Sequence, residues 1–264
     1  MLNILVCMKL VPDPEGPPSS YEVDEEAKKV KVRGISPVAN PYDENALEAA
    51  LRLKESADAK VTVLTMGGSI SKAVMLKALA SGADDSIVLE GNGFDVNLFD
   101  SGKTAKILAS TIKKSGEYDI ILSGRQASDT NAGLVGFGIA AELGFPVISL
   151  AQKVSYEDDK FIIERVLPNG YEVVEAPRAL VVTVSSELGE LRYPSMAAIK
   201  GAKKLPQKAF TLEELGVDVS DELSVETVEL KRPVRERSCT MVEADCGEDA
   251  GRELAEKLIA DKVL

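Results

Sequence analysis

Apolar residues along this chain fall into short runs that alternate between two spacings. Ile4-Leu-Val-Cys-Met8 is continuously apolar, the pattern of a strand buried on both faces of a parallel sheet, and Val11-Pro-Asp-Pro14 ends it. Tyr21-Glu-Val23 and Lys29-Val-Lys-Val-Arg33 alternate around acidic residues and predict a small exposed hairpin. Between residues 40 and 54 the spacing becomes helical. Leu47, Ala50 and Leu51 share one face, Asn40 takes the N-cap position and Pro41 stands first in the helix. The two patterns then repeat: strand 61–64, helix about 72–80, strand 86–89, helix about 103–113, strand 120–122, a helix carrying Val135, Ile139 and Leu143, and strand 147–150. Such alternation predicts an α/β fold, a parallel twisted sheet with helices on both faces.

After residue 150 the texture changes. Segments 161–165 and 171–174 flank the turn signal Pro168-Asn-Gly170, and 180–183 reads as another buried strand, so a small antiparallel part is expected over about 151–185. From about residue 206 the chain turns polar, with Glu213-Glu214, Asp218 and Asp221-Glu222, which predicts an arm over 206–264 attached to a domain over 1–205. A last helix, about 248–262, carries Leu254, Ala255, Leu258 and Ile259 as a narrow apolar stripe that either folds back or grips another subunit.

Ligands of such sheets sit beyond the carboxyl ends of the strands. Three loops fall there: 9–13, 66–68 and 124–138. The third runs from the apolar strand after Asp119 through Gly124, Gly133, Gly136 and Gly138 into a helix, so it offers unpaired backbone amides at a helix N-terminus, a place for a pyrophosphate. Gly136-Phe-Gly138-Ile-Ala-Ala141 has the spacing of a dinucleotide fingerprint, yet lies well inside the loop. No Gly-Lys-Ser/Thr follows. An adenosine-like ligand held by backbone amides fits better than a triphosphate being hydrolysed. Asp129 would accept from ribose hydroxyls or the adenine amino group. The other reading of the same glycines is a strand-to-helix connection that merely packs tightly.

Composition narrows the chemistry. The 264 residues are 45% hydrophobic and 28% charged, enough for one large core, and the formal charge of −12 disfavours nucleic acid and anionic membranes. There is no histidine, which removes Ser/His, Cys/His and zinc-hydrolase chemistries from this chain and leaves redox or group transfer to a cofactor. Cys7, Cys239 and Cys246 lack metal-ligand spacing and fit free thiols in a reducing compartment. No apolar run approaches the ~20 residues of a membrane span, so the expected location is cytoplasmic.

Several segments taken in order resemble the β subunit of electron transfer flavoproteins: Ile4-Leu-Val-Cys-Met-Lys9, Asn40-Pro-Tyr-Asp43, Met66-Gly67, Ala80-Ser-Gly-Ala-Asp84, Gly124-Arg-Gln-Ala127 with Asp129, and Arg192-Tyr193 leading to Lys200-Gly-Ala-Lys203. The resemblance implies an adenine-nucleotide alpha-hydrolase-like fold and a heterodimer with an α subunit that the arm contacts. It puts the nucleotide against Cys7, Lys9 and Asn40, Pro41, Tyr42, Asp43; against Met66 and Gly67; against Gly124, Arg125 and Gln126; and against Asp129, Thr130, Asn131, Ala132, Gly133, Val135, Gly136, Phe137 and Gly138. Within that loop, Leu134 and Phe137 depart from residues frequent in the family. Cys7 is read as pocket lining rather than as a nucleophile.

Val11-Pro-Asp13 before Tyr21-Glu-Val23 and Asn40-Pro-Tyr-Asp43 resembles the NADH-linked, electron-bifurcating branch of anaerobes. That branch implies FAD, NADH as donor, and transfer to ferredoxin and to an acyl-CoA, enoyl-CoA or lactate-type dehydrogenase. The housekeeping branch implies structural AMP instead. Either way the chain is a redox subunit rather than a complete enzyme. Met196, in Arg192-Tyr-Pro-Ser-Met196, resembles the anchor that docks on the dehydrogenase. A universal-stress-type nucleotide sensor shares the alternating layout and is a further alternative. An adenylating enzyme would need a Ser-Gly-Gly-x-Asp loop that is absent.

Overall fold

The computed structural model describes residues 1–217, 225–233 and 239–263; Asp218, Asp221 and Glu222 of the expected arm lie outside them. In chain order the strands and helices are β1 (Leu2–Cys7), β2 (Leu10–Pro12), β3 (Tyr21–Asp24), β4 (Lys29–Val32), β5 (Pro37–Ala39), α1 (Pro41–Ser56), β6 (Ala59–Gly67), α2 (Lys72–Ser81), β7 (Asp85–Glu90), α3 (Ser101–Ser115), β8 (Ile120–Gly124), α4 (Val135–Leu143), β9 (Val147–Glu157), β10 (Lys160–Leu167), β11 (Gly170–Ala176), β12 (Leu180–Val184), α5 (Met196–Ala202), β13 (Gln207–Lys208), α6 (Leu212–Leu215) and α7 (Gly247–Ala260).

Among the described residues nine strands form one sheet in the order β11-β10-β9-β12-β8-β1-β6-β7-β13. It is parallel from β9 through β13, and antiparallel where β10 meets β9 and β11. The expected antiparallel part is therefore an extension of the main sheet. β9 makes this possible. Its first residues pair in parallel with β12, a register shift follows where Leu150 adopts φ 61°, and its remainder pairs with β10. The predicted hairpin is present as β3 and β4.

Period-two alternation in β1 divides the core. Ile4 and Val6 face a cluster with Leu47, Ala50 and Leu51 of α1. Leu5 and Cys7 face the opposite cluster, with Ile107 and Leu108 of α3 and Ile139 of α4. The central strand is thus buried on both faces, as a continuous apolar run requires. Val11-Pro-Asp13, read as a terminator, contributes to β2, which pairs with β5. This short ribbon carries the chain back so that the Asn40 amide donates to the Lys9 carbonyl at 2.9 Å.

The first part of the expected arm is not detached. β13 pairs with β7, and Phe210, Leu212, Leu215 and Val217 pack on the α3–α4 side of the core. By contrast, α7 is solvated on its apolar stripe, with Leu254 and Ile259 exposed. No helix among the described residues is long and apolar enough to cross a membrane.

Candidate functional site

The chain leaves β1 toward β6 and leaves β8 toward β9 and β12, so connections diverge at the carboxyl ends of β1 and β8. A crevice opens at such a divergence. Here it is a cavity of about 590 Å³, a size suited to a nucleotide or a similar ligand.

Asp43 builds the floor of its entrance. Near the start of α1 and only 6% exposed, its carboxylate accepts the Lys9 amide at 2.8 Å with one oxygen and the Gly124 amide at 2.8 Å with the other. Two strand ends that diverge are thereby held by one side chain. Burial pushes the Asp43 pKa up to about 6, against the lowering effect of those two amides. Gly124 permits the approach, since a Cβ there would sit 2.6 Å from both the Asp43 carboxylate and the Tyr42 backbone.

Asn40 occupies the N-cap position of α1, but its side chain makes no bond to the helix amides. Its amide group donates to the Gln126 carbonyl at 2.8 Å and its oxygen accepts the Ser128 amide at 3.1 Å. Asn40 therefore fastens the 124–138 loop to the start of α1. Lys9, between β1 and β2, also holds this loop. Its ammonium lies 2.7 Å from the Asp129 carboxylate, and Asp129 does not line the cavity.

The remaining sequence-selected residues separate into two groups. Cys7, Lys9, Asn40, Asp43, Met66, Gly67, Gly124, Arg125, Gln126, Thr130, Ala132, Gly133, Val135 and Gly136 all line the cavity. Pro41, Tyr42, Asp129, Asn131, Phe137 and Gly138 do not. Tyr42 instead lies under the Arg125 guanidinium, 4.8 Å from its ring centre, and Asn131 accepts from Gln126. Gly138 turns away toward α3, where a Cβ would come 2.5 Å from that of Ala105. Gly136 serves both readings of the glycine pattern: it lines the cavity, and a Cβ there would come 2.8 Å from Ser123 and Thr183. Cys7 is buried, and burial followed by the Asp43 charge pushes its thiol pKa far up, so it is an apolar wall rather than a nucleophile.

One wall escaped the sequence reading. Residues 92–98 follow β7 and line the cavity, with Asp95 presenting a carboxylate that has no hydrogen-bond partner among the described residues. The rule that selected the other three loops also selects this one, because it too leaves the carboxyl end of a parallel strand.

The donors suit a diphosphate. The N-cap of α4 is Leu134, whose side chain cannot cap it, so its first-turn amides lack a side-chain partner where Val135 and Gly136 line the cavity. Ser123 Oγ and Arg125 Nε are buried without a hydrogen-bond partner, and both residues line the same space. Unpaired buried polar groups are costly; these are two of the six such side-chain atoms among the described residues, and the rest of the Arg125 guanidinium makes only long contacts, at 3.4 Å to Tyr42 and 3.5 Å to Ser185.

Residues 30–215 match the electron transfer flavoprotein domain family. The chain is 38% identical to the electron transfer flavoprotein subunit beta of Thermoanaerobacterium thermosaccharolyticum, over 83% of this chain and 82% of the relative. It is 33% identical to that of Megasphaera elsdenii over the whole of both chains. The chain belongs to the electron transfer flavoprotein β-subunit family. It is also 35% identical to the caffeyl-CoA reductase-Etf complex subunit CarD of Acetobacterium woodii, over 82% of this chain and 80% of the relative.

Membership makes this chain an electron-transfer component that works with an α subunit, and it directs attention to a second surface. Met196 begins α5 and is 73% exposed, and Tyr193 is more exposed still. The segment before them is firmly held. Arg192 donates to the buried Glu48 at 2.8 and 3.0 Å and also pairs with Glu55, while Asn45 donates to the Gly189 carbonyl at 2.6 Å. Although burial opposes it, these Arg192 bonds hold the Glu48 pKa below its ordinary value. An exposed methionine thus stands on a base fixed to α1.

Proposed function

We propose that the cavity holds the adenosine diphosphate part of FAD, and that the chain is the redox β subunit of an NADH-oxidising, electron-bifurcating flavoprotein. The observation that carries the reading is the open N-terminus of α4 at one end of the cavity, with Ser123 Oγ and Arg125 Nε unpaired beside it. FAD, when bound, supplies hydride acceptance and one-electron release. The chain's own part is placement. The α4 amides and Arg125 would balance the pyrophosphate charge, Asp95 would accept from a ribose hydroxyl, and Cys7 and Met66 would give the ligand an apolar wall. Asp129, committed to Lys9, shapes the loop rather than taking the ribose.

The bifurcating branch is favoured by the Val11-Pro-Asp13 arrangement and by the likeness to a chain named for a caffeyl-CoA reductase-Etf complex. On this reading the acceptors are ferredoxin and an acyl-CoA, enoyl-CoA or lactate-type dehydrogenase that docks on Met196, and α7 with its exposed stripe grips the α subunit. The housekeeping alternative places AMP in the same cavity. Chromatography of nucleotides released from the purified αβ complex decides between them. Two flavins per heterodimer are expected, and one flavin with one AMP overturns the FAD reading.

A further inference from the structure

The cavity wall after β7 is tied to a residue far along the chain. Phe94 is buried in the core, and beyond it Asn97, which lines the cavity, donates its side-chain amide to the Val225 carbonyl at 2.8 Å. Three residues on, one Asp100 oxygen accepts the Val225 amide at 3.2 Å. The other caps α3 by accepting the Lys103 amide at 2.8 Å. Asp100 is 1% exposed, so this carboxylate is a built element rather than a surface contact. Both backbone groups of a single arm residue are therefore engaged, one by the wall residue Asn97 and the other by Asp100, the cap of α3. The side chain of Val225 is itself half exposed. Thr227 Oγ1, 3.4 Å from the same Asn97 amide, adds a weaker contact.

We propose that Asn97 and Asp100 are positioning residues that couple the arm to the cavity: docking of Val225 sets the 92–98 wall, and arm docking and nucleotide retention strengthen each other by the same factor. The proposal rests on the adenine-nucleotide reading of the cavity. Its physical basis is entropic. An irregular segment costs free energy to order, and a wall already ordered by the arm no longer charges that cost to the ligand. Because linkage is reciprocal, the ligand must tighten the arm in turn.

The test uses the full chain with its α subunit and AMP as the probe. Val225→Pro removes the amide that Asp100 accepts, whereas Val225→Ala keeps both backbone groups. AMP release is expected to be roughly tenfold faster in Val225→Pro, the loss of one hydrogen bond to a charged group, and unchanged in Val225→Ala. In the wild type, hydrogen exchange at the Val225 amide should slow when AMP binds. Release from Val225→Pro at the wild-type rate, equal acceleration in both variants, or exchange at Val225 that ignores AMP would each overturn the coupling. The wild-type exchange measurement stands even if Val225→Pro folds poorly. Failure of the wild type to bind either AMP or FAD would instead bring down the cavity reading, and the coupling with it.

Discussion

At the residue scale, Asp43 shows how one side chain can favour function over stability. Its pKa rises from an ordinary 3.8 to about 6 in the fold. The folded chain therefore holds this proton longer than the unfolded chain does, and the stability Asp43 contributes at low pH is lost as pH climbs through about 4 to about 6. The full difference is about 3 kcal/mol. The carboxylate that results is the form able to accept from both Lys9 and Gly124. Nucleotide affinity is thus expected to fall as pH drops below about 6, when one oxygen becomes a donor facing a donor. Titrating AMP across pH values from about 5 to about 8 checks this, and a flat profile contradicts it. In Asp43→Asn an NH₂ group meets one of the two amides. That clash costs about 1–3 kcal/mol, while the penalty of about 3 kcal/mol for burying an ionised carboxylate is relieved, so stability in chemical denaturation above pH 6 is expected to stay near that of the wild type, with a weaker pH dependence between about 4 and 6.

Elements are positioned by contacts that their own periodicity does not announce. The apolar run of β1, the spacing in α1 and the turn before β11 were legible because each is a local pattern. The destination of Asn40 was not: it reads as a cap, yet the 124–138 loop passes close enough to claim its side chain. Gly138 is a second case, a fingerprint glycine by spacing that lets α4 lie against α3. Gly138→Ala should lower stability by about 1–3 kcal/mol through overpacking, and Ala105→Gly in the same chain should recover part of it; thermal unfolding of the single and double variants reads both. Removing the Arg192 clamp on α1 should act differently. Arg192→Ala is expected to cost about 1–3 kcal/mol through the stranded Glu48 and, if Met196 is the docking anchor proposed above, to leave any bound flavin in place while slowing electron transfer to the dehydrogenase. Unaltered transfer rates would show that the clamp serves stability alone.

Over the whole molecule, one sheet supports both the cavity and the exposed Met196 loop. Its parallel middle creates the cavity, while α1, packed on one face, carries Asn40 and Asp43 at one end and, through Glu48, the loop before Met196. The far end of the chain offers a third surface in α7. If Leu254 and Ile259 cover themselves on the α subunit, Leu254→Asp with Ile259→Asp should leave the thermal unfolding of the isolated chain within about 0.5 kcal/mol of wild type and weaken heterodimer formation on size-exclusion chromatography. Undiminished assembly would remove α7 from that interface.

Hydrophobic spacing by itself determined the α/β class and the presence of most elements, because burying one face of a strand or helix imposes a period on the residues that form it. Strand-end loops then indicated most of the residues that line the cavity. What tertiary structure alone decided was the pairing of distant polar groups: Asp129 with Lys9, Asn40 with Gln126 and Ser128, Asp100 with Val225, and the 92–98 wall beside the other three loops. Those pairings depend on which strands become neighbours when α3 crosses from β7 to β8. A polar side chain's partner is set by that geometry, whereas its own sequence neighbourhood records only that it is polar.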